Sequence, residues 1–180
     1  MQNRTRHIRN ELAQKIDTEN PDLSLEQLAE DDYEAYAAAV SGNYDHALAG
    51  GLDMRDYRTS DSVAERQGSD DIVVYGIRKN DELVGGFHVS NESSPEISYW
   101  VDKDHLRQRI AAEAIYAATR HMKEAVGSHL RIRATVRKGN QGSRKSLHAT
   151  GYRRTGGDHA DDVYTHIGHK VTRPEPKNEG

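Results

Sequence analysis

The chain has no cysteine. Disulfides, thiolate metal centres and cysteine nucleophiles are therefore excluded, and a cytoplasmic location is the default expectation. Long apolar runs are missing too. None approaches the roughly 18 residues needed to cross a bilayer, so no membrane association is expected. The opening stretch MQNRTRHIRNELAQK is charged and lacks the apolar centre of a secretory signal. No internal repeat is visible. Basic residues are scarce in the first part: residues 1–102 hold 9 Lys and Arg against 21 Asp and Glu, a net of −12. Residues 103–154 reverse this with 13 against 3, a net of +10, and residues 155–180 carry 3 against 5. Such a split offers a cationic ligand one half and an anionic ligand the other, or lets the two halves attract each other.

A length of 180 residues suits one domain with a real core. The expected organisation is a polar arm over 1–22 (frayed helix or disorder), one domain over 23–170 and a disordered tail over 171–180. Leu23 and Leu25 alternate as a first strand. Asp31 and Glu34 resemble a capping box that opens a helix with Tyr33, Tyr36, Ala37 and Val40 on one face, ending near Gly42. A weaker helix is expected within 43–69, after the Gly50-Gly51 break. IVVYGI (72–77) and ELVGGFHV (82–89) flank Lys79-Asn80-Asp81 as a hairpin.

The stretch from Glu96 to Ala114, EISYWVDKDHLRQRIAAEA, then reads as a strand feeding a helix. Ile97, Tyr99 and Val101 share one strand face, and Glu96, Ser98 and Trp100 the other. The helix, expected over 104–126, carries Ile110, Ala114, Ile115, Ala118 and Met122 on one side. A strand that runs straight into a helix N-terminus gathers free N–H groups and the positive helix end, which suits a phosphate-bearing ligand. Leu130, Ile132, Ala134 and Val136 alternate with arginines as a further strand. Asn140–Thr150 forms a short helix closed by Gly151, and two strands finish the domain. The sum is an α/β (α+β) fold with a mixed, mostly antiparallel sheet, one βαβ crossover and flanking helices.

Four stretches together carry a resemblance: ELVGG in the hairpin, EISYWVD, the IAAEA helix start, and N-x-x-S-x-x-x-L-x-x-x-G-Y on Asn140, Ser143, Leu147, Gly151 and Tyr152. In this order and spacing the chain resembles the GNAT superfamily of N-acetyltransferases, in the branch of the RimJ- and RimL-type ribosomal-protein-alanine N-acetyltransferases. The resemblance implies acetyl-CoA as co-substrate and a primary amine as acceptor, on a small molecule or a peptide. The acidic first half makes that acceptor cationic. The resemblance also implies two splayed parallel strands, 96–101 and 130–137, that seat the pantetheine arm. A pyrophosphate loop of pattern Q/R-x-x-G-x-G/A falls on Leu106, Arg107, Gln108, Arg109, Ile110 and Ala111. Only Ala111 matches. Arg107 and Arg109 stand where glycine is usual, so either their Cβ atoms obstruct the phosphates or their guanidiniums bind them.

For the chemistry, Glu96 is the first choice as general base and His88 the second. The backbone N–H of Trp100 or Val101 polarises the thioester carbonyl, and Trp100 alternatively walls the acceptor pocket. Asn140 resembles the residue that bonds the pantetheine arm and is equally a helix N-cap. The usual tyrosine acid is replaced by Leu147, leaving Ser143, Tyr152 or a water. His159, His166 and His169 with Asp158, Asp161 and Asp162 match no zinc spacing, so no metal is expected. Two other readings stay open: transfer from another acyl carrier such as aminoacyl-tRNA, and a non-catalytic binding protein. Homodimers are common in similar proteins.

Overall fold

A computed structural model describes residues 8–175. In chain order its elements are β1 (Lys15–Asp17), β2 (Leu23–Gln27), α1 (Tyr33–Ala49), α2 (Ser60–Gly68), β3 (Ile72–Lys79) and β4 (Glu82–Ser90). They continue with β5 (Ile97–Val101), α3 (Ile110–Val126), β6 (Ile132–Arg137), α4 (Gln141–Ala149), β7 (Arg153–Gly157) and β8 (Asp161–His166). Strands β1 to β5 form an antiparallel sheet in sequence order, and β6, β8 and β7 form a second. The sheets meet at one parallel bridge, Glu96 with Arg133, backed by the Arg133 N–H donating to Pro95 O at 2.9 Å. This is the expected mixed, mostly antiparallel α/β fold, with β5–α3–β6 as its crossover.

Local chemistry explains most of these elements. Asn80 and Asp81 both have left-handed φ, 49° and 65°, between paired residues Lys79 and Glu82. That two-residue turn matches the twist of its flanking strands, and Asn and Asp tolerate it best after glycine. The hairpin's apolar residues fill a core between the sheet and α3, with Phe87, Ile97, Ile115, Met122, Ile132 and Tyr164 at its centre. A second core lies on the other sheet face. There Tyr36 and Val40 of α1 and Val63 of α2 pack with Met54, Val74 and Trp100. The two glycines of ELVGG allow this packing. A Cβ on Gly86 would lie 2.1 Å from Tyr36 Oη and 2.3 Å from Trp100 Nε1.

Three boundaries differ from expectation. Helix α1 continues through Gly42 to Ala49, because Asn43 is buried and donates to Ala39 O and to Asp102 Oδ2, both at 2.9 Å. It is Asp32, not Glu34, that closes its entry turn, accepting from Ala29 N–H at 2.9 Å. Helix α3 starts at Ile110 rather than 104, since Lys103–His105 is a separate 3-10 turn and 106–109 a loop.

The polar arm expected over 1–22 is a correction for residues 8–22. Ile8, Leu12 and Ile16 are buried in the first core, and β1 pairs with β2. The Arg9 guanidinium ties the segment down by donating to the carbonyls of Gln67, Ser69 and Ile72. Residues 1–7 lie outside the described part. At the other end, Thr172 N–H donates to Thr150 O at 3.3 Å and Pro174 is buried, so 171–175 run along the domain. The remainder of the expected disordered tail, 176–180, lies outside the described residues.

Candidate active site

Strands β5 and β6 touch only at the Glu96–Arg133 bridge and diverge beyond it. The gap opens into a cleft of about 1110 Å³. Tyr99 and Val101 form one wall, Ala134 and Val136 the other; α3 and α4 close its back, and the end of α1 its side. Divergence leaves backbone groups without a ladder partner, and register decides which. Ser90 N–H donates to Glu96 O, and Asp102 N–H to Val84 O, so even-numbered residues of β5 bond to β4. Odd-numbered ones face the gap, as Pro95 O does in accepting from Arg133. Val101 therefore presents its N–H to the cleft. The Trp100 N–H points to β4, so of the two expected donors only Val101 qualifies. The Trp100 indole lies on the opposite face, donating to Tyr36 Oη at 3.1 Å.

The loop into α3 forms the mouth. Arg107 and Arg109 both adopt left-handed φ, 64° and 63°. The backbone thus keeps the conformation for which glycine is usual, at a cost of about 1–2 kcal/mol per residue. Leu106, Arg107, Arg109, Ile110 and Ala111 all line the cleft. The first N–H groups of α3 have no intrahelical acceptor, and Arg109, its N-cap, makes no side-chain cap bond. Gln108 does not line the cleft. Its side-chain oxygen accepts from Lys79 Nζ at 2.6 Å, so its side chain is engaged away from the cleft.

The expected catalytic residues separate. Ser143 lines the cleft from the first turn of α4. Glu96 does not; it is half-buried where the strands meet, its N–H donating to Ser90 Oγ at 2.8 Å. Ser98, two residues on along the same strand face, does line the cleft. His88 is a correction. It is 3% exposed, stacked on Tyr57 with ring centroids 4.6 Å apart, and its Nε2 is 2.7 Å from Tyr36 Oη. Burial drives its pKa down to about 3, so it is a neutral core histidine and a poor base. Tyr152 is fully buried with its hydroxyl 2.8 Å from Thr119 Oγ1, so it is no acid for the cleft either. Leu147 is core.

Asn140 lines the cleft with both side-chain ends engaged. Its Oδ1 accepts from Ser143 N–H at 3.1 Å, and its Nδ2 donates to Gly50 O at 3.1 Å. It caps α4 and also ties that helix to the end of α1. Gly51 completes the junction, with φ 96° and a virtual Cβ 2.9 Å from Arg137 Cβ. This brings His46, Gly50 and Gly51 to the cleft, none of which was named as a site residue. The Gly50-Gly51 pair was their only signal. Nothing in the sequence marked Thr172–Glu175, which also line it.

The charge split is partly internal. Arg133 pairs with Glu92, Arg137 with Asp161, Arg154 with Asp162 and Arg120 with Glu19. Arg107, Arg109, Lys145 and Arg173 line the cleft, where the acidic contribution is Glu175. Cationic side chains thus gather at the cleft, while the acidic surplus of the first half lies elsewhere. Of the histidines weighed as ligands, His166 is buried with its pKa down to about 4, while His169 is exposed.

Residues 22–153 match the family model described as the acetyltransferase (GNAT) domain. No curated protein sequence matches the chain. Solved structures resemble it at low identity. Mycobacterium smegmatis RimJ in complex with CoA-disulfide is 23% identical with a TM-score of 0.69, over 81% of each chain. The RimL ribosomal L7/L12 alpha-N-protein acetyltransferase in complex with coenzyme A is 17% identical with a TM-score of 0.73, covering 89% of this chain and 99% of that one. The microcin C7 self-immunity acetyltransferase MccE, in complex with acetyl-CoA and AMP, is 14% identical with a TM-score of 0.68, over 82% and 93%. Among the described residues, no helix is long and apolar enough to cross a membrane.

Proposed function

The chain belongs to the GNAT acetyltransferase family, and from that premise we propose that it moves an acetyl group from acetyl-CoA directly to a primary amine of a peptide or amino-acid-like molecule. The observation that carries this reading is the mouth of the cleft. Arg107 and Arg109 keep the left-handed backbone of a glycine loop, beside free N–H groups of α3 and a further Lys145. A pyrophosphate and a 3′-phosphate suit such a mouth, since N–H groups and guanidiniums both donate to phosphate oxygens. The narrow gap between β5 and β6 suits an extended pantetheine arm. The CoA and acetyl-CoA complexes among similar structures support the same ligand.

Acetyl-CoA, when bound, supplies an acetyl group activated as a thioester. Val101 N–H then donates to the carbonyl oxygen as negative charge gathers there. Glu96 takes the amine's proton through water; its place on the strand face shared with Ser98 supports that role. Ser143 points its hydroxyl toward the departing sulfur. Arg107, Arg109 and the α3 N–H groups hold the phosphates, and Asn140 keeps the α1 and α4 sides of the cleft together.

Titration calorimetry with acetyl-CoA tests the donor. Binding in the micromolar range is expected, and no heat at high micromolar ligand defeats the reading. Thiol release in the presence of amine-bearing peptides and amino acids then tests the transfer. Glu96→Gln is expected to lower kcat about 100-fold, the usual scale for a general base, with acetyl-CoA affinity unchanged. Undiminished turnover rejects Glu96.

A further inference from the structure

A polar atom on the cleft wall, the Tyr99 hydroxyl oxygen, has no role in the steps above. Tyr99 stands on the wall formed by β5, its ring stacked on Phe87 with centroids 6.0 Å apart. Its hydroxyl oxygen is buried and, among the described residues, has no hydrogen-bond partner. A buried phenol left without a partner costs about 1–3 kcal/mol, so it calls for a reason. Ser143, on α4, lines the same cleft and is the hydroxyl-bearing side chain that bears on the Tyr99 phenol. The other nearby phenol, Tyr152, already bonds to Thr119. One turn after Ser143, Leu147 fills the core, so α4 offers no second hydroxyl from that position.

We propose that Tyr99 is a positioning residue for the sulfur end of the ligand, acting through Ser143; this rests on the acetyl-CoA reading above. With a thioester or thiol in the cleft, Tyr99 Oη–H donates to Ser143 Oγ. Ser143 then has its own proton free for the ligand sulfur. When the C–S bond breaks, its electron pair stays on sulfur, and the Ser143 O–H stabilises that thiolate by hydrogen bonding. The amine's proton leaves through the base and water, and neither hydroxyl loses its proton. Burial raises the Tyr99 pKa, which keeps the phenol protonated and able to donate. A serine alone has three rotamers for its proton and oxygen; the phenol behind it selects one.

The test compares CoA with desulfo-CoA, which lacks the sulfur and serves as an internal control. At pH above the thiol's ordinary pKa, the wild-type chain is expected to prefer CoA about tenfold, the scale of one hydrogen bond to a charged group. Tyr99→Phe and Ser143→Ala are each expected to abolish that preference, with desulfo-CoA affinity within twofold of wild type. The double variant is expected to behave like either single one, since both act on one bond. Tyr99→Phe is also expected to lower kcat about tenfold without moving KM for acetyl-CoA. A tenfold preference that survives Tyr99→Phe, or losses that multiply in the double variant, overturns the inference and leaves the proposed function standing. If neither CoA nor desulfo-CoA binds, both fall together.

Discussion

Replacing Arg109 by glycine separates two physical roles at one position. The residue has φ 63° at the N-cap of α3, half-buried at the cleft mouth, with no side-chain cap bond. A left-handed non-glycine residue costs about 1–2 kcal/mol, and glycine removes that cost. Glycine also frees the unfolded chain, which returns about 0.5–1 kcal/mol to the other side. The net gain is about 0.5–1 kcal/mol, or a rise in Tm of about 1–4 °C for a chain of this size. Ligand binding moves the other way. A guanidinium–phosphate contact at a half-open site contributes about 1–2 kcal/mol, less than a fully buried one, so Kd for acetyl-CoA should rise about 5- to 30-fold. Arg109→Lys keeps the charge and the strain but loses the fork, so it should show wild-type Tm and an intermediate Kd. Thermal unfolding and titration calorimetry on the same preparations read both quantities. Tighter binding by Arg109→Gly would show that the side chain obstructs the phosphates. A lowered Tm would show that the loop carries no such strain.

Gly86→Ala places a Cβ 2.1 Å from Tyr36 Oη and 2.3 Å from Trp100 Nε1, so it should cost about 2–3 kcal/mol and lower Tm by about 5–10 °C. Gly42→Ala, in open space on α1, should instead stabilise by about 0.5–1 kcal/mol; equal effects at the two positions would refute the packing argument. Acid should destabilise the chain through its buried histidines. His88 and His166 have folded pKa values near 3 and 4, below their ordinary 6.5. The unfolded state therefore takes up protons first as pH falls below 6.5, and the stability present above that pH is lost on the way down to the folded values. Each histidine adds a slope of about 1 kcal/mol per pH unit, readable as urea midpoints between pH 6.5 and 5, above the main carboxylate range. His88→Gln should remove its share of that slope; an unchanged slope would mean that the ring is not held neutral.

Much of the architecture was legible because period and punctuation are local. The strict alternation of 130–137, the 3-and-4 spacing of 110–126 and the Asn80-Asp81 turn each state their structure in a few residues. Residues 8–22 were not legible. Ile8, Leu12 and Ile16 are three apolar residues in a polar segment, and their burial depends on partners far along the chain. The site divided in the same way. Its loop, Ser143, Asn140 and Val101 follow from a strand, a helix start and a cap. His88 was chosen for chemical type, and type does not report whether a side chain faces a cleft or a core.

The sequence alone determined the order of elements, the crossover between β5 and β6, and the family to which that order belongs. It also placed arginine at the two loop positions where glycine is usual. Only the tertiary structure decided that those arginines keep the glycine conformation and that Val101, not Trp100, turns its N–H to the cleft. The same packing buries His88 and, among the described residues, leaves the Tyr99 hydroxyl without a hydrogen-bond partner. The reason is physical: periodicity fixes which residues share a face, while strand register and long-range packing fix what that face meets.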